Sequence, residues 1–405
     1  MAKELTVVDL FCGAGGLSLG FSRVGFSVIA AYDSWLPAVD TYRENIGDHI
    51  RNVSITRDLD VPRATVIAGG PPCQGFSSAG LRKDGDTRNS LVGEFSQLIA
   101  KSRPDAFVFE NVEGFLTGGG GRYVLELLGT LIDAGYRIHL RKVNAAHYGV
   151  PQHRKRVIAI GGLGWDPTFP EPTHKAHGAP GANLANLSSS RRSPTLAEAL
   201  EQLPPAISMD ANLGPADHTI IALSGDDLAR ARLLKQGQRM RDLPEDMWHQ
   251  SYKKRAFRRV MDGTPSERRG GAPAGIRRLR SDEPSKAITG GALREFLHPV
   301  EDRPLTIKEC ATLQTFPITF NFRGSQSDKI QLIGNAVPPT FAEAVARSLY
   351  QDLLLRESTS HIGGALLSFV PTLSFGMSPA LEHVVRCVRS KFSQESKRVQ
   401  ATLWD

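Results

Sequence analysis

The chain has 405 residues, longer than an ordinary single domain, so one large α/β domain with a second, smaller module is expected. A net charge of +7 permits an anionic partner without establishing one. No run is long and apolar enough for a signal peptide or a membrane span, which suits a soluble cytoplasmic protein. The four cysteines, Cys12, Cys73, Cys310 and Cys387, are far apart and lack CxxC or Cys/His ligand spacing, which argues against both a disulfide framework and a metal site.

Leu5 to Phe11 is an apolar run, and Cys12-Gly13-Ala14-Gly15-Gly16 ends it in a glycine-rich turn before a helical Leu17 to Val24. Strand, glycine turn and helix open a nucleotide-type βαβ unit, in which a ligand approaches bare backbone at a helix N-terminus. Neither the full GxGxxG fingerprint nor GxxxxGK[ST] is present, which favours a small adenosine-bearing ligand over a pyrophosphate and disfavours a dehydrogenase. The next strand, Ser27 to Ala31, ends at Tyr32-Asp33, where a carboxylate either meets ribose hydroxyls or caps the following helix. Asp58 is placed to meet an adenine amino group or to serve as a turn residue.

Ala64 to Ala68 reads as a buried strand emptying into Gly69-Gly70-Pro71-Pro72-Cys73-Gln74-Gly75-Phe76-Ser77. A cysteine in that rigid setting is either a nucleophile or a small buried hydrophobe. Leu81 to Asn89 reads as a polar, glycine-containing lid, followed by a helix over Ser90 to Lys101. Ala106 to Phe109 is a continuous apolar strand that stops at Glu110-Asn111-Val112, leaving a partly desolvated glutamate suited to donating a proton. Tyr123 to Asp133 reads as a helix. Gln152-His153-Arg154-Lys155-Arg156 then enters a strand over Val157 to Gly161, and period 2 puts Gln152, Arg154 and Arg156 on one face. Such a pair of arginines suits an anionic or carbonyl-rich ligand, or an exposed edge strand.

Composition shifts to proline, glycine, serine and histidine from Trp165 to about Pro205, which marks a domain boundary. Ser208 to Pro299 has little regular pattern, and Lys253 to Arg280 holds ten basic residues against two acidic ones, leaving the rest of the chain close to neutral. That is the footprint of phosphate-backbone binding or a solvated surface. Thr306 and Glu309 form a capping box for a helix running to Gln314, and Gln331 to Pro339 precedes a helix over Phe341 to Leu355.

Five ordered motifs, Asp9-Leu10-Phe11-Cys12-Gly13-Ala14-Gly15-Gly16, Gly70 to Ser77, Glu110-Asn111-Val112, Gln152 to Arg156 and Gly334 to Pro339, resemble those of the DNA (cytosine-5)-methyltransferase family. The likeness covers most of residues 5 to 350. It implies an α/β fold with a Rossmann-like S-adenosylmethionine-dependent methyltransferase sheet and a smaller irregular target-recognition domain. The expected division is 1–168 with 300–355 as catalytic domain, 169–299 as target-recognition domain, and 356–405 as an extension of unknown role.

The resemblance implies Cys73 as nucleophile, Glu110 as proton donor to the base, and Arg154 and Arg156 near its ring carbonyl. S-adenosylmethionine is implied on Phe11, Gly13, Gly15, Leu17, Asp33, Asp58, Pro72 and Asn335, with no metal. Ser34 stands where the family often carries an aromatic directly after the acid, with Trp35 next. Duplex DNA is the implied partner, met by Gln74, Ser77, Arg255, Arg258, Arg259, Arg277 and Arg278. A separate restriction endonuclease is an expected partner of a bacterial enzyme of this kind, acting as a monomer on the nucleoid. A transfer-RNA cytosine methyltransferase and a catalytically silent DNA-binding module are the competing readings.

Overall fold

The computed structural model describes residues 4–72, 91–178, 191–208, 217–250, 252–253, 275–355, 361–373 and 376–392. The apolar runs become strands β1 (Thr6–Leu10), β2 (Ser27–Asp33), β3 (Ile50–Asn52), β4 (Val66–Gly69), β5 (Ala106–Asn111) and β6 (Tyr136–Asn144). Two-residue β7 (Gln152–His153) leads to β8 (Lys155–Leu163). Between them lie α1 (Gly16–Val24), α2 (Leu36–Asn45), α3 (Leu91–Ser102) and α4 (Arg122–Asp133).

The second module is built from short pieces, as its mixture of Gly, Pro and Arg requires. Its strands are β9 (Ile207–Ser208), β10 (Thr219–Ile220), β11 (Arg277–Arg278), β12 (Ser285–Lys286) and β13 (Phe296–Leu297). Helices α5 (Leu196–Leu200), α6 (Gly225–Leu233) and α7 (Ala292–Glu295) accompany them, and α8 (Ile307–Leu313) and α9 (Gln326–Asn335) follow. The chain then returns through α10 (Pro339–Leu355), β14 (Ala365–Val370) and α11 (Pro379–Phe392).

One eight-stranded sheet has the order β14-β6-β8-β5-β4-β1-β2-β3, and β8 alone runs antiparallel to its neighbours. Side chains alternate between two buried faces. Val8, Leu10, Ile67, Phe107 and Phe109 pack with α3 and α4, while Val7, Val66, Ala68, Val108, Ile158 and Ile160 pack with α1 and α10. The chain leaves β1 for β2 on one side and later returns to β4 on the other. That reversal opens a crevice at the carboxyl ends of β1 and β4, the usual ligand position in such sheets.

Helix α1 touches α10 and the segment leading into it at its own glycines. A Cβ on Gly16 would lie 2.0 Å from the Val337 carbonyl oxygen, and one on Gly20 would lie 2.4 Å from the Ala342 Cβ. The two helices therefore run in the same direction from the crevice. Past the family-like region, β14 adds an edge strand parallel to β6, and α11 drives Val384 and Val388 into the core beneath α4.

Leu279, Ile288, Phe296 and Leu305 share a hydrophobic cluster with α8, α9, Ala14 and Ala38, so the second module packs directly behind the glycine turn. The expectation of one shared face for Gln152, Arg154 and Arg156 is corrected by a break in the ladder. The Arg154 amide turns back to the Gln152 carbonyl (3.0 Å) between β7 and β8. Gln152 and Arg154 face the second module, whereas Arg156 continues the row of Ile158 and Ile160.

Candidate active site

At the carboxyl end of β1 the backbone turns sharply, with Phe11 in the left-handed region at φ 56° and Gly13 and Gly15 at 54° and 82°. A non-glycine residue in that conformation stores strain of about 1–3 kcal/mol, which tends to collect at functional turns. The Gly13 amide donates to the Asp33 carboxylate (2.9 Å), and the Trp35 amide donates to its other oxygen (2.8 Å). The Ser34 amide bonds this carboxylate as well. Burial nonetheless pushes this carboxyl above the usual aspartate range, against the pull of those amides.

A Cβ on Gly13 would meet nothing within 4 Å, whereas one on Gly15 would strike Ile46 and Tyr42. Bare backbone therefore faces open space at Gly13 only, and a flat or ribose-bearing ligand fits there. Leu17 is buried on α1 beneath the turn. Trp35 packs toward the second module's cluster.

The second half of the site forms where β4 and β5 end together. A Cβ on Gly70 would lie 2.9 Å from Glu110 Oε2, so only glycine lets this carboxylate reach the chain that leads into Pro71 and half-buried Pro72. Asn111 Nδ2 donates to the Pro71 carbonyl (3.3 Å), which ties the ends of both strands. Glu110 extends the inward row of Ala106 and Val108. It meets Arg156, which extends the row of Ile158 and Ile160, with Nε to Oε1 at 2.7 Å. The pair is buried and makes an ion contact without hydrogen-bond alignment. Cys73, Gln74 and Ser77 lie outside the described residues, as do Arg255, Arg258 and Arg259.

Three of the expected residues are placed differently. Arg154 is fully buried and is no ligand for a base: its terminal nitrogens donate to the carbonyls of Ile288, Gly334 and Ala336 at 2.7–2.8 Å. It ties the second module to the end of α9, and burial pushes its pKa well below the usual guanidinium range. Gln152 reinforces the tie by donating to the Leu313 carbonyl (2.8 Å) and accepting from the Ile288 amide (2.9 Å). Arg278 is also withdrawn from DNA contact. It is buried and donates to the carbonyls of Ala231, Leu234, His298 and Glu301 and to Asp302. Asn335 ends α9 in an exposed position, where its Oδ1 accepts from Gln331 (2.8 Å). Asp58 is exposed on the turn closed by the Leu59 amide, and Arg277 is half-buried in a cleft of the second module.

Sequence reasoning missed a buried chain behind the glycine turn. Ser18 donates to Asp9 Oδ2 from its amide (3.1 Å) and its hydroxyl (2.6 Å), Tyr42 donates to that hydroxyl (2.9 Å), and His49 Nε2 reaches the Tyr42 oxygen (2.9 Å). Burial pushes the Asp9 pKa up to about 7. An acidic residue within an apolar strand was the available signal. Cys12 and Cys310 are buried, and desolvation pushes both thiols well above their usual value, so neither is an activated nucleophile.

Residues 5–351 match the family model of C-5 cytosine-specific DNA methylases. The Type II methyltransferase M1.HphI of Haemophilus parahaemolyticus is 32% identical over 361 residues, spanning 85% of this chain and 87% of that protein. The Type II methyltransferase M.AgeI of Thalassovita gelatinovora is 31% identical over 426 residues, spanning 85% of this chain and 99% of that one. A solved structure of a DNA modification methyltransferase from an E. coli prophage covers 86% of this chain and 99% of its own, with 24% identity and a TM-score of 0.63, a likeness of fold.

Proposed function

The chain belongs to the C-5 cytosine-specific DNA methylases, and on that premise we propose that it methylates carbon 5 of a cytosine flipped out of one short duplex sequence, with Cys73 as nucleophile. The observation that carries the residue roles is the buried Glu110–Arg156 pair, seated against Gly70 where the chain runs into Pro71-Pro72-Cys73. S-adenosylmethionine, the methyl donor of this family, supplies an electrophilic methyl group when bound. Gly13, with its open backbone, and Asp33, at the carboxyl end of β2, fit its adenosine part.

Cytosine carbon 5 is a poor nucleophile until a thiolate adds at carbon 6. In the proposed reaction Cys73 Sγ forms a bond to carbon 6 and the ring electron pair moves toward carbon 5, while Glu110 gives a proton to N3. Arg156 holds the Glu110 carboxylate in place for that transfer. After methylation at carbon 5, a water takes the carbon 5 proton, Cys73 leaves as a thiolate and the ring is restored, and Glu110 takes its proton back from N3. The flip costs roughly a few kcal/mol, offset by phosphate and groove contacts. By analogy with its Type II relatives, the proposed setting is protection of host DNA in a restriction-modification system.

The test incubates the purified chain with S-adenosylmethionine and unmethylated genomic DNA, followed by bisulfite mapping, with transfer RNA in parallel. Methylation at one recurring sequence is expected, and none from Cys73→Ala. Methyl transfer retained by Cys73→Ala would remove the nucleophile, and label confined to transfer RNA would replace the substrate.

A further inference from the structure

Strand β11 is held on both sides: its backbone pairs with β13, and Arg277 also bridges antiparallel to Arg239. The framework is firm, because the Met240 amide donates to Ile276 (2.8 Å), the Arg278 amide donates to Gln238 (2.9 Å), and Arg278 pins the strand from beneath. Two arginines therefore stand directly opposite each other, an arrangement that destabilises a strand pair unless something neutralises it.

The described surroundings do not neutralise them. Arg239 and Arg277 line a cleft of about 270 Å³ with Arg241, Arg280, Lys286, Asp242 and Glu283. Glu283 is engaged by Arg280 and Lys286, and Asp242 accepts from the Arg239 amide and lies beside Arg241. Neither the Arg239 nor the Arg277 guanidinium has a carboxylate within ion-pair distance among the described residues; Glu295 favours the Arg277 charge only from farther away. Arg277 is half-buried near the Phe296 ring, and its Nε is buried without a hydrogen-bond partner. Burial and the neighbouring Arg239 both disfavour its charge.

We propose that the Arg239–Arg277 cleft seats a backbone phosphate of the DNA duplex and so sets the register of the second module on its substrate. This deepens the DNA-methylating reading and rests on it. A phosphate is favoured over a base edge because it carries the negative charge that two opposed guanidinium groups need, whereas a guanine edge is neutral. The role falls to Arg239, which the sequence did not single out, and to Arg277.

The test measures dissociation constants of wild type, Arg277→Gln, Arg239→Gln and Arg277→Lys for a duplex carrying the methylated sequence and for a scrambled duplex, across a range of salt. Each glutamine variant is expected to weaken both duplexes equally and to reduce the slope of log K against log salt by about 0.9, the release expected from one phosphate contact. Arg277→Lys should keep the wild-type slope, and the methylated sequence should stay the same in all four proteins. An unchanged slope, or a loss confined to the target duplex with relaxed methylation at one base position, would overturn the proposal. If Arg277→Gln fails to fold, Arg239→Gln decides alone. Failure of the underlying reading would show separately, as a wild-type protein that methylates no DNA.

Discussion

Asp9 sits within β1 with one carboxyl oxygen accepting from Ser18 and the other without a hydrogen-bond partner. Its pKa of about 7 in the fold lies above the roughly 3.9 of an unfolded aspartate, so the fold favours the protonated form. The stability it contributes is complete below about pH 4 and is lost as the pH climbs through about 7. Urea unfolding across this window should show wild-type stability falling with a component of up to about 1.4 kcal/mol per pH unit. Asp9→Asn, which stays neutral, should lack that component; parallel curves would refute the assignment. At Arg154 the expectation is a split between two arginines. Arg154→Met should raise KM for S-adenosylmethionine more than it lowers kcat, because it releases Ala336, whose neighbour Val337 covers the glycine turn at Gly16. Arg156→Met should chiefly lower kcat by freeing Glu110. Equal effects of the two on both constants would sink the distinction. Glu110 and Arg156, which the fold sets side by side, stood out in the sequence because a carboxylate or a paired arginine at the end of an apolar strand is anomalous. What separated Arg154 from Arg156 was a backbone break and a set of carbonyl acceptors from distant segments, which no spacing rule encodes.

Among the elements, the strands and helices that bury an apolar face were readable, and observed ends differ from expectation by one or two residues at β1, β2, β5 and α4. The C-terminal extension was not readable. Its strand is six residues long, and its partner β6 is remote in sequence, so only the open sheet edge explains it. Its contribution is packing, since Gly121 lies so close to Val384 that a Cβ there would sit 2.6 Å from the valine side chain. Replacing Val384 by Asp would bury an unpaired charge and should cost several kcal/mol. Removing everything after Leu355 should lower the melting temperature as well. Thermal unfolding followed by circular dichroism tests both, and unchanged midpoints would make the extension an independent appendage.

Over the whole molecule, the sheet could be read from the apolar runs, but the internal form of the irregular segment around Arg278 could not. Buried polar ties take the place of periodic apolar faces there, as in Arg278, bound to four carbonyls and to Asp302. Such ties pair residues by geometry alone. The contact of Gly16 with Val337 carries a temporal meaning as well. The glycine turn is made about 320 residues before the segment that covers it, and at roughly 5–20 residues per second the nascent chain displays for tens of seconds a turn it cannot close. The basic stretch emerges before that closure. Synthesis thus imposes its own order on the protein: the basic stretch is complete first, and the glycine turn is closed only after it.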